Sequence, residues 1–508
     1  MASQMQGKAE SLRTTLLPLD QTSDYQGCVL TYGHFSTIHP GHIRYLRHAR
    51  SLGRKLVIAL AGDGAEPGNP YPFNQQERAE ALGMLGLADV IVLLRSDELS
   101  HAIRQLRPTI VVLGKELENS AKFKEPLGIL KSLGGSVQFH AGDVQYASSE
   151  LLTTPERDLR LQRRLKFQTA CRRQGLIYGK LVDTMKAWSQ TRLIVLGDTI
   201  VDQYAACEPI GMSAEAPIVV VRELAKRNFI GAAAVVAAHI RALGAQCDLV
   251  SVVGNDTTAE FVRKELKARE IGDALTKDTS RPTTFKKRYV VENQKLFRVS
   301  RLEQHDLDLI IEAQVICSLE ALAPHADGIV VSDFVYGVVT PRVLQAVARL
   351  AQHHKLQVFG DLQCSSQIGS ITRFKNFSLL CPNERELRVA LKNKDSGLET
   401  LSQQLLEETN CERLLVKLAA EGFIAYDRDS NRQLRSQPFP ALSVNPLDVA
   451  GAGDSVLAVM ATGLASRQAM MPTAALACCM AALSVETMGN TPISAGTLRS
   501  YLAEVLST

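Results

Sequence analysis

Two short stretches of the chain hold residues whose types and spacing could handle phosphate. In the first, Thr31-Tyr-Gly-His-Phe-Ser-Thr-Ile-His-Pro-Gly-His42, the histidines His39 and His42 stand three residues apart. They lie where an apolar strand-like run gives way to a helical pattern, Ile43 to Leu52. At that spacing both rings can face one phosphate. Gly33 lets backbone approach a ligand closely, and Gly41 with His42 opens a helix whose free N–H groups favour anions. Such a turn can neutralise charge on an α-phosphate during in-line displacement without a covalent intermediate. The plainer alternative is two incidental histidines at a helix start.

The second stretch is Asp448-Val-Ala-Gly-Ala-Gly-Asp454, followed by an apolar helical run, Ser455 to Leu464. Gly451, Ala452 and Gly453 at a helix start make a backbone nest that can hold a transferring phosphoryl group. Asp454 at the helix mouth is placed to take a proton from an attacking hydroxyl. A glycine-rich helix cap with a capping aspartate is the competing reading of such a turn taken alone.

Positioning these groups requires strands that end at them. VLTYG (29–33), KLVIALAG (55–62), DVIVLL (89–94) and TIVVLG (109–114) alternate with helical patterns. A second series holds RLIVLGD (192–198), GIVVSD (328–333), KLQVFGD (355–361) and RLLVKL (413–418). Short apolar strands separated by helices predict two α/β domains built on parallel sheets. The division is expected as an N-terminal extension (1–25), a first domain (26–152), a basic helical connector (153–190) and a second domain (191–508). At 508 residues, more than one core is expected.

Composition excludes several classes. The chain is 45% hydrophobic and 22% charged, which is globular rather than disordered. No apolar run approaches the roughly 20 residues of a membrane helix, and the N-terminal residues lack a signal core. A cytoplasmic protein without a membrane role is expected. The ten cysteines form no CxxC pair, so zinc is not indicated and reduced, buried thiols are expected. The net charge is +4, yet residues 151–190 alone hold nine Lys/Arg against three acids. That excess is read as a solvated helix face before it is read as a nucleic-acid surface, so nucleic acid is not an expected partner.

The first stretch resembles the GxFDxxHxGH signature of cytidylyltransferase-like nucleotidyltransferases. The likeness continues through 42–60, QQERAEAL (75–82), RPTIVVLGKE (107–116) and YASSELL (146–152). It implies a Rossmann-like domain in which Gly33, Phe35 and Gly41 contact nucleotide, and Ser148 and Ser149 hold triphosphate oxygens. The family's aspartate after phenylalanine is Ser36 here.

Residues 190–507 resemble the ribokinase-like (PfkB) sugar kinases, an α/β fold with a small β lid. The likeness rests on VLGDTIVDQY (195–204), RPTTFKKRYVVENQKLFRV (281–299), VSDFVYG (331–337), CPNERE (381–386) and the GAGD turn. It implies a catalytic Asp454, with Asp448, Gly451, Ala452 and Gly453 at the nucleotide phosphates. It also implies Asn383 and Glu386 organising magnesium and phosphate, and Asp198, Asp202 and Gly231 at the sugar. No direct protein cage for a metal is implied. Departures are Val235 for the sugar-binding asparagine, Tyr336 for a basic residue, Gln363 in the DPK-like element, and Ala450 before the GAGD glycine.

Together the halves resemble bifunctional ADP-heptose synthesis enzymes with the domain order reversed. The expected function is therefore a sugar-phosphate kinase joined to a sugar 1-phosphate nucleotidyltransferase. ATP serves as substrate with Mg²⁺, nucleoside triphosphate and sugar phosphates are partners, and homo-oligomers are implied. The alternative is an active nucleotidyltransferase with a degenerate kinase-like domain that binds sugar or dimerises.

Overall fold

The computed structural model describes residues 14–35, 40–53, 55–63, 73–95, 98–114, 121–139, 156–212, 218–291, 294–363, 369–393, 396–428 and 434–507. It divides into two units, the first taking in the chain to Thr153 and the second most of the remainder.

The first unit is built on a six-stranded parallel sheet in the order β1-β4-β3-β2-β5-β6. The strands are β1 (Thr15–Leu17), β2 (Val29–Gly33), β3 (Leu56–Leu60), β4 (Val90–Leu93), β5 (Ile110–Leu113) and β6 (Ser136–Phe139). All five residues of β3 are buried. That burial requires helices on both faces, and two apolar clusters accordingly flank the sheet. The helix Gln75–Met84 starts at a capping box, in which Asn74 and Glu77 each accept the other's backbone N–H.

The second unit carries a nine-stranded sheet in the order β11-β10-β7-β14-β15-β16-β17-β18-β19, parallel except at β17–β18 and β18–β19. Its strands are β7 (Arg192–Gly197), β10 (Gln246–Val253), β11 (Gly272–Lys277), β14 (Gly328–Asp333), β15 (Gln357–Leu362), β16 (Leu379–Leu380), β17 (Leu414–Lys417), β18 (Phe423–Arg428) and β19 (Leu434–Phe439). A separate four-stranded lid runs β13-β12-β8-β9, from β8 (Thr199–Met212), β9 (Val219–Ala232), β12 (Thr284–Val291) and β13 (Gln294–Arg301). The α/β architecture with a β lid is thus as the sequence implied.

Residues 156–190 join the core of this second unit. Phe167, Leu176, Leu181 and Trp188 are buried there beside Phe439 and Ala458. The basic run has structural work: Arg164 Nε and Gln168 Nε2 donate to the Val505 carbonyl at 3.1 and 3.0 Å. Val505 lies in the last turn of the helix Ala495–Leu506, whose terminal carbonyls lack helical partners and attract cations. Among the described residues, no helix is long and apolar enough to cross a membrane.

Candidate active sites

In the first unit the signature turn leaves β2 at Gly33. A Cβ there would stand 2.7 Å from the Phe35 ring, so glycine is required for that ring to fold back. Phe35 itself takes φ +48° and is buried. Its ring meets His42 edge-on, with centroids 5.0 Å apart, in the first turn of the helix Pro40–Ser51. Phe35 therefore orients His42 from the core. The turn is also held by buried Arg78, which donates to the His34 carbonyl, to the Ala61 carbonyl at 3.0 Å and to Asp63 at 2.7 Å. That guanidinium holds the exposed Asp63 carboxyl below its usual range.

A cleft of about 270 Å³ opens at the carboxyl ends of β2, β3 and β4, lined by Tyr32, Gly62, Arg95, Glu98, Ser100 and Lys122. Ligands of open parallel sheets bind at that edge. Arg95 and Lys122 were not singled out from sequence, because nothing in their local spacing marks them. His39, Ser36, Ser148 and Ser149 lie outside the described residues. The helix that Gly41 opens is present.

In the second unit Asp454 sits in the first turn of the helix Ala452–Ala465, where the leading N–H groups have no helical acceptor. Gly451 adopts φ +83°, and a Cβ there would overlap the Asn490 amide at 1.8 Å. Asp454 is buried, and burial, with Asp361 nearby, pushes its carboxyl up to about 7. Gln363 Nε2 donates to its Oδ1 at 2.9 Å. Lys417 Nζ donates to both Asp361 oxygens at 2.7 and 2.8 Å. Burial opposes the charge on Lys417, but Asp361 and Glu386 hold its proton more firmly than in water. A Cβ on Gly453 would stand 3.3 Å from that ammonium, so the glycine lets a cation lie against the nest. Sequence reading passed over Lys417, which looks like an ordinary strand residue of RLLVKL.

Asn383 and Glu386 form a capping box at the helix Glu384–Ala390, and Asn383 bridges Lys417 through backbone. Asp448 is fully engaged: it accepts from Tyr204 Oη at 2.5 Å, Lys295 Nζ at 2.6 Å and Ala450 N at 3.0 Å. Burial would raise its pKa, but those donors hold it below the ordinary value. Tyr204 and Lys295 belong to the lid, so Asp448 ties lid to nest.

Of the residues expected at the sugar, Asp198 accepts N–H groups from Phe334 at 2.8 Å and from Tyr336 and Val338 at 3.4 Å. Burial and then Asp333 raise its carboxyl to about 7. It organises the 334–338 turn. Asp202 pairs with Arg288, and a Cβ on Gly231 would lie 2.7 Å from its carboxylate. Val235 is fully buried in the helix Ala233–Ala242, and Tyr336 is buried under the lid.

The sheet, lid and buried aspartate at a helix mouth define a carbohydrate-kinase fold. The pfkB family carbohydrate kinase model matches residues 190–495, and the chain belongs to that family. The cytidylyltransferase-like model matches residues 30–155. Among curated proteins, the chain is similar to the bifunctional protein HldE of Campylobacter jejuni, 31% identical over 61% of this chain and 64% of that one. The HldE of Geotalea uraniireducens is 29% identical over 60% and 62%. The chain thus spans under two thirds of the length of these relatives. Among solved structures, Escherichia coli phosphofructokinase-2 with substrates and products covers 62% of this chain and 100% of its own, at TM-score 0.53 and 16% identity. That likeness is one of fold.

Proposed function

We propose that the second unit transfers the γ-phosphoryl group of ATP to a hydroxyl of a sugar phosphate, and that the first couples a sugar 1-phosphate to a nucleotide, making an ADP-heptose-like product. The observation that carries the kinase reading is Asp454, buried at the helix mouth with a carboxyl near 7. A base of that pKa is ionised in part at neutral pH and still accepts a proton well. As the sugar oxygen bonds to γ-phosphorus, its proton passes to Asp454. The bond to the β,γ-bridging oxygen breaks, and ADP leaves with that electron pair. The nest of Gly451, Ala452 and Gly453, with Lys417 beside it, meets the charge on the moving group.

A magnesium ion fits here as a nucleotide-held ion rather than a caged one. Asp361 and Glu386 flank Lys417, and Glu386 already serves its capping box, so these carboxylates would hold the ion only together with nucleotide phosphates and water. Bound there, the ion would neutralise phosphate charge. In the first unit His42, steadied by Phe35, would stabilise the α-phosphate, and His39 would share that role. Action in the cytoplasm, where ATP is available, accords with this chemistry. Homo-oligomers accord with the exposed Ile210, Met212, Leu224, Phe297 and Val299 of the lid.

A second reading, a kinase-like unit retained for sugar binding or dimerisation, is favoured by Val235, Tyr336 and Gln363, which stand where the family carries its sugar-binding asparagine, a basic residue and the DPK-like element. Incubating the protein with Mg²⁺, each nucleoside triphosphate and a panel of sugar phosphates, with mass-spectrometric readout, decides between them. A sugar bisphosphate and a nucleotide sugar are the expected products. Nucleotide sugar alone selects the second reading, and neither product overturns both.

A further inference from the structure

One side chain beside Asp454 has no part in the chemistry derived so far. Gln363 directly follows β15, and its backbone N–H donates to the Asp333 carbonyl at 2.8 Å. That bond pins it to the end of β14, the parallel neighbour of β15. From there its Nε2 donates to Asp454 Oδ1 at 2.9 Å and reaches Asp361 Oδ2 at 3.3 Å. One amide therefore stands between two buried carboxylates. Only its NH₂ end fits that place, because the carbonyl end would set a third acceptor against them. The residue that departs from the family's DPK-like element is engaged at the proposed base.

The charged groups around Asp454 are committed elsewhere. Lys417 donates to both oxygens of Asp361, with Glu386 also near it. Asp202 of the lid faces Asp454 but is paired with Arg288. Two helices pack on the helix Ala452–Ala465. One, Met470–Val485, carries no charged residue. The other, Ala233–Ala242, offers His239, which burial keeps neutral, and Arg241, which pairs with Glu270. Among the described residues, Gln363 is the one side chain that hydrogen-bonds to Asp454, and it uses Oδ1.

We propose that Gln363 is a positioning residue for phosphoryl transfer: it holds Asp454 through Oδ1, leaves Oδ2 for the acceptor hydroxyl, and does so without adding a positive charge. An ammonium in its place would stabilise the carboxylate more strongly and weaken it as a base. An apolar side chain would free the carboxylate to turn and leave it facing Asp361 with no donor between them. The amide lies between these extremes. In accord with this, burial and Asp361 raise the Asp454 carboxyl to about 7, while Gln363 and Lys417 moderate the rise. The inference rests on the reading of the second unit as a kinase.

The test is the pH profile of phosphoryl transfer from Mg-ATP to ribose 5-phosphate, fructose 6-phosphate and sedoheptulose 7-phosphate by the full chain, with thermal scans at pH 5 and pH 8 alongside. In Gln363→Lys the acid limb of kcat should move down by about one pH unit or more. In Gln363→Met it should move up by about one unit, and the plateau should fall about tenfold with KM for Mg-ATP unchanged. The scans read the same contact without a sugar. The folded state holds the Asp454 proton tightly, so this group's share of stability is lost as pH rises from 5 to 8. Gln363→Lys should shrink that loss and Gln363→Met should enlarge it. On an Asp454→Asn background neither substitution should alter the difference between the two pH values. Limbs that stay in place in both variants overturn the proposal and leave the kinase reading standing. Thermal differences that persist with Asp454→Asn also overturn it, because they assign the effect of Gln363 to Asp361. If wild type phosphorylates none of the three sugars, the kinase reading fails on its own, and the scans still decide whether Gln363 governs Asp454.

Discussion

Ala232 is the residue whose backbone and side chain disagree most plainly. It precedes the helix Ala233–Ala242 with φ +56° and ψ −132°, a conformation that glycine adopts freely and a Cβ opposes. Such strain costs of order 1–3 kcal/mol, and glycine returns part of that gain through its freer unfolded chain. Ala232→Gly should therefore stabilise the second unit by about 1 kcal/mol, read as a higher urea midpoint at unchanged slope. Asp454 gives a pH expectation. Its carboxyl sits near 7 in the folded protein against an ordinary 3.8, so phosphoryl transfer should climb with pH through about 7 as the base ionises. The same shift means that the folded state binds this proton more tightly than the unfolded chain. Its contribution to stability is thus full below the ordinary value and is lost as pH rises through the folded one. Asp454→Asn should abolish the reaction yet raise the melting temperature near pH 8 more than near pH 5, as thermal scans at both would show. His239 works the other way. Burial lowers it from 6.5 to about 4, so the unfolded chain takes up the proton first and stability falls as pH drops through that window.

Among elements, the lid is where sequence and structure part. Strands such as VLTYG and GIVVSD were legible to the residue, because a parallel strand buried on both faces is apolar throughout. The strands β8 and β9 run fourteen residues each and were not legible as strands. Each is buried along one half and exposed on both faces along the other, with Leu224 and Met212 in the exposed halves, so the alternation that betrays a half-buried strand is missing. The GAGD turn and the histidine turn could be read locally. Lys417 and Lys295 could not, since their meaning lies in what the fold brings beside them. Lys295 makes the lid's contact with the nest testable. It is half exposed, but its partner Asp448 is 1% exposed, so removing the ammonium takes one donor from a buried carboxylate. Lys295→Ala should cost about 1–3 kcal/mol and speed amide exchange in β12 and β13. Lys287→Ala, which frees half-exposed Glu223 and a contact on the Tyr289 ring but no buried carboxylate, should change exchange in those strands far less.

For the whole molecule, the decisive matter is whether two chemistries reside in one chain independently. Each unit has its own sheet and its own apolar clusters. The groups proposed for catalysis are likewise drawn from one unit each: His42 from the first, Asp454, Lys417 and the nest from the second. A kinase product carries its new phosphate on the hydroxyl that was attacked, whereas a nucleotidyltransferase consumes a sugar 1-phosphate and releases pyrophosphate. If the acceptor is itself a sugar phosphate, its original phosphoryl group must be removed before the second step can yield a simple nucleotide sugar. No third unit is present among the described residues to remove it. The two activities should therefore be separable in both directions. Asp454→Asn should eliminate sugar bisphosphate formation and leave nucleotide-sugar formation from a supplied 1-phosphate intact. His42→Ala should slow nucleotidyl transfer by about a hundredfold or more, the scale seen when one donor to a developing anion is removed, and spare the kinase. Rates of both products, measured in parallel on the two variants, check this. Loss of both activities in either variant would show that the sites depend on one another.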